Sequence, residues 1–284
     1  MSLDRRLFAY RPDLADARLR DIVEADLYLV GELADVVVPV APLSPKADPN
    51  CGIDTEVLLG ETLRIFDRKD GFAFAQSERD GYVGYIPLAA LGSTAQHTHQ
   101  IIVPRTFLYR EAELKTYPIA TLSMASRLCF VDEVEKRGTK YLLTDRGEAV
   151  IARHCLPLGQ VMGGDRVDVA LMYLETPYLW GGRSGLGIDC SGLVQMAMAM
   201  VGEAAPRDTD MQFSALGERI ERKDLSRGDL VFWKGHIGLM EDEATLLHAN
   251  GHTMSVAREN LDEAIQRIGW LYDAPTGYRR LKVA

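Results

Sequence analysis

Cys190 stands in the stretch GLGIDCSGL (185–193), between a carboxylate (Asp189) and a hydroxyl (Ser191), just after a glycine-rich turn. A thiol in that setting can be a nucleophile, a metal ligand, a member of a phosphate loop or a buried small apolar residue. The run that follows, CSGLVQMAMAMVG, predicts an almost wholly apolar and therefore buried helix. Cys190 falls at its start, where unpaired N–H groups and the positive end of the helix dipole favour a thiolate. A structural cysteine would more naturally sit mid-helix, among the Met and Ala residues.

The other chemistries fit less well. His97 and His99 form an HxH and His248 and His252 are four apart, but neither pair lies near a CxxC or an obvious third ligand, so no metal is expected. GGRSGLG (181–187) lacks the Lys-Ser/Thr that ends a nucleotide-binding loop, and no cofactor is expected. A nucleophilic thiol also needs a base and a group that orients the base. His236 opens HIGLM directly after the Lys234-Gly235 turn, and His248 lies in LLHAN. Adjacent antiparallel strands can set two such side chains side by side on one face. Asn250 is the alternative orienting group. His97, His99, His154 and His252 read as surface or structural residues, and GGRSG as a flexible loop that lets a substrate backbone approach Cys190.

The elements that must position these residues lie in the last third of the chain. DRVDVALMYLETPY has helical apolar spacing, the helix at Cys190 follows, and TDMQFSALGERI is a third helix whose Thr209 and Gln212 have capping-box spacing. DLVFW, HIGLM, TLLHAN and TMSVA then read as strands. Helices followed by antiparallel strands predict an α+β domain over 159–284. Residues 26–158 are strand-like, with short apolar runs between turn signals. They hold an internal repeat: a shift of 65 superposes Val38-Pro39 on Val103-Pro104, Leu43 on Leu108, LRIF (63–66) on LCFV (128–131), Asp80 on Asp145, Ile86 on Ile151 and Leu91 on Leu156. Two SH3-like barrels are expected, at 26–95 and 96–158, behind an N-terminal arm at 1–25 that contains an Arg11-Pro12-Asp13 turn.

The 284 residues suit two or three domains, and the net charge of −9 argues against nucleic acid and anionic membrane as partners. No apolar run approaches a membrane span, and the opening MSLDRRLFAYRPDLADARLRD has no signal-peptide core, so a cytoplasmic protein is expected. That setting keeps Cys51, Cys129 and Cys155 as reduced, buried residues.

Together, TPYLWGGRSGLGIDCSGLVQ and LSRGDLVFWKGHIGLM resemble the two signature stretches of the NlpC family of papain-like, cell-wall cysteine peptidases. The resemblance covers about 159–284. It implies Cys190 as nucleophile, His236 as base and His248 as the orienting residue, with the Tyr178 hydroxyl near the nucleophile and oxyanion. It implies cleavage of the γ-D-glutamyl to diamino-acid bond of peptidoglycan stem peptides. The two SH3-like copies and the missing export signal resemble members that act in murein recycling on short stem peptides with a free N-terminal L-Ala. In those relatives an acid and a tyrosine of the first barrel meet the substrate amine. Glu56 and Tyr82 are the candidates here, with Glu61 and Tyr85 as runners-up; the corresponding positions of the second copy are Thr121 and Gly147. Asp189 matches a further amine-binding acid, and Ser191, Asp208 and Thr209 match substrate-lining positions. The expected partner is a peptidoglycan-derived tri- or tetrapeptide. An amidase or acyltransferase on another amide, and a non-catalytic module that binds cell-wall peptides, are the rival readings.

Overall fold

The computed structural model describes residues 3–281, and the chain divides between Gly159 and Gln160 into two compact units. The N-terminal unit is all β. Its first half is a five-stranded antiparallel sheet in the order 83–87, 72–77, 62–69, 32–36, 91–92, with a hairpin of 40–43 and 55–58. The second half repeats this plan. The pairs Val40↔Leu58, Ala41↔Val57, Pro42↔Glu56 and Leu43↔Thr55 each map, 65 residues on, to Arg105↔Ser123, Thr106↔Leu122, Phe107↔Thr121 and Leu108↔Ala120. Even the short 3₁₀ turn at Leu88–Ala90 has its counterpart at Ala152–His154. Each copy has its own apolar centre; in the second it is Ile101, Leu108, Leu122, Leu128, Phe130 and Val150. Arg127 binds Leu59 across the copies, N–H to carbonyl at 2.8 Å. A Cβ on Gly60, which has φ +76°, would lie 2.3 Å from the Arg127 carbonyl oxygen, so glycine is required there.

The opening segment packs on the first barrel. Leu14–Asp16 pairs in parallel with Leu27–Leu29, and Ala9 and Leu14 pack with Phe66, Phe74 and Val83 of the first barrel. The turn at Arg11-Pro12-Asp13 closes through Arg11 N–H to the Leu14 carbonyl at 2.7 Å.

The C-terminal unit is α+β. Its helices are α1 (Arg166–Leu171), α2 (Cys190–Met200), α3 (Thr209–Ala215) and α4 (Leu261–Tyr272). Its strands are β1 (Glu218–Ile220), β2 (Leu230–Trp233), β3 (His236–Met240), β4 (Thr245–Asn250), β5 (Ser255–Asn260) and β6 (Gly277–Arg280). They make one antiparallel sheet, β1-β6-β2-β3-β4-β5. α2 is buried almost all round because it touches both α1 and strands β3 and β4. On the sheet, Val231, Trp233, Met240 and Leu246 pack with Leu261, Ala264 and Ile268 of α4.

Three local expectations change. α1 starts at a capping box built by Asp165 and Asp168, but α3 has none: Thr209 lies inside the helix, and the Gln212 amide turns inward to the carbonyls of Ser191 and Pro206 at 3.0 and 2.8 Å. GGRSG is not a flexible loop but a buried hairpin, Arg183–Ser184 with Gly187–Ile188; a Cβ on Gly182 would sit 2.6 Å from the Gly187 carbonyl oxygen. α4 and β6 stand where the sequence reading assigned no element, and α4 proves to carry part of the site.

Candidate active site

Cys190 is the first residue of α2, and Asp189 caps that helix by accepting the Gly192 N–H at 2.7 Å. The thiol is buried. Ile237, the neighbour of His236, directs its backbone N–H at the sulfur, and the Thr209 hydroxyl lies 3.9 Å away. The structure thus brings Cys190, Thr209 and the start of β3 together. Burial, aided by the Asp189 charge, pushes the thiol up to about 11 against the opposing help of Ile237, Thr209 and Arg207.

His236 opens β3. Its Nε2 lies 2.9 Å from Nδ1 of His248, which is fully buried on β4. The next link was not foreseen: His248 Nε2 lies 3.1 Å from Oε2 of Glu259 on β5, and Arg267 of α4 binds the same carboxylate with Nε and Nη2 at 2.9 and 2.5 Å. His248 pairs with Ala257 across the strands, so Glu259, two residues on, shares its face. Strand alternation held that signal, but only once the β4–β5 register was known. Burial raises the Glu259 carboxyl, yet the hydrogen bonds from Arg267 and His248 overcome it and leave it at about 2.

That anion fixes the protons of both rings. A carboxylate only accepts, so His248 must donate from Nε2. Burial holds the His248 imidazole below its usual range, against the pull of Glu259, and this favours a neutral ring whose Nδ1 is bare. Nδ1 therefore accepts from His236 Nε2–H. His236 is also neutral, since burial and the neighbouring His248 and Arg267 push it down to about 3. Its Nδ1 is then left as a free base. The buried Trp233 ring, with centroids 5.7 Å apart, supports the imidazole. Burial opposes the thiolate that the helix start favours, and it opposes the His236 imidazolium as well. A free imidazole nitrogen can take a thiol proton as the sulfur attacks an amide carbonyl.

The remaining candidates fall in different places. Asp189 is not open to a substrate amine. Its Oδ1 accepts from Gly192 N, Ser191 Oγ and Arg207 Nη1, and its Oδ2 from Gly181 N and Arg207 Nη2. The buried Arg207 was passed over because eighteen residues of sequence separate the pair. Ser191 belongs to the same network through Arg207 Nη1 at 2.9 Å. Asp208 precedes α3 without capping it. Tyr178 lines a cleft beside His236, its backbone N–H bound to the Met254 carbonyl at 2.8 Å. Asn250 caps the turn after β4 by accepting from His252 N and Thr253 N, and is not in the histidine relay. Glu56 and Tyr82 are buried residues of the N-terminal unit. Of the runners-up, Glu61 is held by Leu58 N and Arg79, and the Tyr85 hydroxyl by Arg11.

Residues 175–269 match the NlpC/P60 family, and residues 43–91 match the bacterial dipeptidyl-peptidase Sh3 domain. The chain carries an NlpC/P60 domain. It is a cysteine peptidase by that domain and by its relatives. A gamma-D-glutamyl-L-lysine dipeptidyl-peptidase of Bacillus subtilis is 29% identical over 235 residues, 75% of this chain and 77% of the relative. Dipeptidyl-peptidase 6 of Lysinibacillus sphaericus is 27% identical over 250 residues, 81% of this chain and 92% of the relative. The crystal structure of an NlpC/P60 family protein from Bacillus cereus aligns with a TM-score of 0.72 at 20% identity, over 88% of this chain and 99% of that one, which supports the fold. Among the described residues no helix is long and apolar enough to cross a membrane.

Two outcomes are expected from the NlpC/P60 domain. Asp189→Asn strands the buried Arg207 charge, which costs about 3–5 kcal/mol in unfolding free energy, and it slows free and N-acetylated peptides alike. Wild-type stability in urea, with only the free peptide slowed, would return Asp189 to amine recognition. Glu259→Gln removes the anion that orders the two rings. It lowers kcat by roughly ten- to a hundredfold with little change in KM, less than the 10²–10⁴ a general base itself contributes, and Glu259→Asp restores part of the loss. A fall in the unfolding midpoint with no such kcat pattern would make Glu259 a structural residue only.

Proposed function

We propose that this cysteine peptidase hydrolyses the γ-D-glutamyl to diamino-acid bond of short peptidoglycan stem peptides, with Cys190 as nucleophile and His236 as base. The observation that carries the mechanism is the hydrogen-bonded order Glu259–His248–His236, which leaves the His236 Nδ1 bare at the strand end whose next amide binds the Cys190 sulfur. In the first step the sulfur adds to the amide carbonyl as its proton passes to His236. The imidazolium so formed gives that proton to the leaving amine, and a thioester to the γ-carboxyl of D-Glu remains. Water, deprotonated by the same nitrogen, then releases the acid and restores the thiol. His248 orients the His236 ring, and through it Glu259 acts at a distance. The Thr209 hydroxyl beside the sulfur and Tyr178 in the cleft beside His236 are the candidates to meet the substrate.

The names of the relatives support the bond that is cut and the register of the cut. A dipeptidyl-peptidase releases two residues from a free amino terminus, which on a stem peptide is L-Ala-D-Glu. The preference for a free N-terminal L-Ala, and with it a place in murein recycling in the cytoplasm, is the finer part of the proposal. The Sh3 domain matched at 43–91 bears the dipeptidyl-peptidase label and supports it. Glu56 and Tyr82 remain the candidates to recognise the ammonium, because Asp189 is committed to Arg207.

Mass spectrometry of the products from L-Ala-γ-D-Glu-L-Lys and from its N-acetylated form tests the reading. The free peptide is expected to give L-Ala-D-Glu and lysine, the acetylated peptide far less, and Cys190→Ala neither. A charge-assisted hydrogen bond contributes about 1.5–3 kcal/mol, so Glu56→Gln is expected to lower kcat/KM on the free peptide by roughly tenfold or more and barely to move the acetylated one. Equal cleavage of both peptides by the wild type would remove the free-amine requirement. Turnover by Cys190→Ala would remove the thiol from the chemistry.

A further inference from the structure

Beside His236 lies a cleft of about 520 Å³ whose lining includes Tyr178, Trp180, Lys234, His252, Arg267 and Leu271. No Asp or Glu is among its described lining residues, although the chain has 41 acids against 32 bases. Its donors are also unspent. Arg267 gives Nε and Nη2 to Glu259, and the N–H groups of its Nη1 bind nothing among the described residues. Among the described residues, Lys234, exposed in the β2–β3 turn, makes no ion pair, and the exposed His252 ring makes no hydrogen bond. Two apolar walls complete the cleft: Trp180 is 70% and Leu271 59% exposed. Unpaired cations against exposed aromatic and aliphatic surface suit a carboxylate on an aliphatic stem.

The position says which part of a substrate this is. The leaving amine receives its proton from His236, so the fragment that carries it departs along that ring. The cleft adjoins His236, and Cys190 is not in its lining. We propose that this cleft holds the leaving fragment and selects it by carboxylate, with Lys234 meeting the α-carboxylate of the diamino acid and Arg267 and His252 meeting a second acidic group. The inference rests on the peptidase reading above and adds the identity of its leaving group. A lysine side chain brings a lone ammonium to a cleft without acids. Diaminopimelate brings a carboxylate with its ammonium and is the better match.

Three peptides test this: L-Ala-γ-D-Glu-L-Lys, its C-terminal amide, and L-Ala-γ-D-Glu-meso-diaminopimelate. With wild-type protein the amide is expected to show a KM about tenfold or more above the acid, the size of one lost charge-assisted hydrogen bond, and diaminopimelate the lowest KM of the three. Lys234→Ala, a change at an exposed turn, narrows the acid-to-amide ratio to about twofold, and Lys234→Glu inverts it. Equal KM for acid and amide in the wild type overturns the inference while leaving the peptidase reading intact. A readout without turnover separates the two failures. Saturation-transfer NMR of the wild type with free meso-diaminopimelate and with lysinamide is expected to show binding of the first and not the second. If no peptide is cut, the peptidase substrate is wrong, and this comparison still decides the cleft: indifferent binding of the two overturns it.

Discussion

A single anion orders the site. Glu259 is clamped by Arg267 of α4 and faces the buried His248, and every proton further along depends on its charge. Because a carboxylate cannot donate, the donor and acceptor ends of both imidazoles are set in turn, and the last unprotonated nitrogen emerges on His236. No step of that ordering needs the thiol. In the proposed mechanism the sheet and α4 prepare the base, and α2 carries the nucleophile. The two halves meet where the Ile237 amide binds the sulfur.

The nucleophile is held with similar economy of motion. Asp189 ties the start of α2 to Arg207 and to the Gly181 amide, so the turn before Cys190 and the stretch before α3 are locked to one carboxylate. α3 in turn brings Thr209 to the sulfur. The tightly packed glycines allow this: a Cβ on Gly192 would lie 2.4 Å from the Gly182 carbonyl oxygen, so the helix can pass the hairpin only without one. Burial of thiol and imidazole favours the neutral form of each. In the proposed mechanism charge separates only as a substrate carbonyl receives the sulfur electrons.

Much of this was legible in the chain. Cys190 before an apolar helix, and His236 and His248 on strands of like character, carry their chemistry in local pattern. The repeat of 65 residues shows in matched apolar positions because each barrel must fill the same core. What stayed hidden depends on contacts across distance. Arg207 and Asp189 are eighteen residues apart, and nothing in spacing shows that a guanidinium will occupy a carboxylate otherwise suited to an amine. Glu259 reads as one of several alternating charges in SVAREN until the β4–β5 register puts it on the His248 face. Arg267 lies on α4, which follows its strand without a turn signal; only the Asn260 cap, accepting from Asp262 N and Glu263 N, marks its start. GGRSG reads as flexible because composition shows freedom of the backbone and not the close packing that demands it.

The central claim is the proton order in the two rings, and ring ¹⁵N chemical shifts measure it directly. Long-range ¹H–¹⁵N correlation spectra of the histidine-labelled protein near neutral pH should show His236 and His248 both neutral, each protonated at Nε2 and bare at Nδ1. In Glu259→Gln that order should be lost, with a mixture of tautomers in its place. A doubly protonated His236 in the wild type, or a proton on its Nδ1, would contradict the account, because the nitrogen assigned to take the thiol proton would already be occupied.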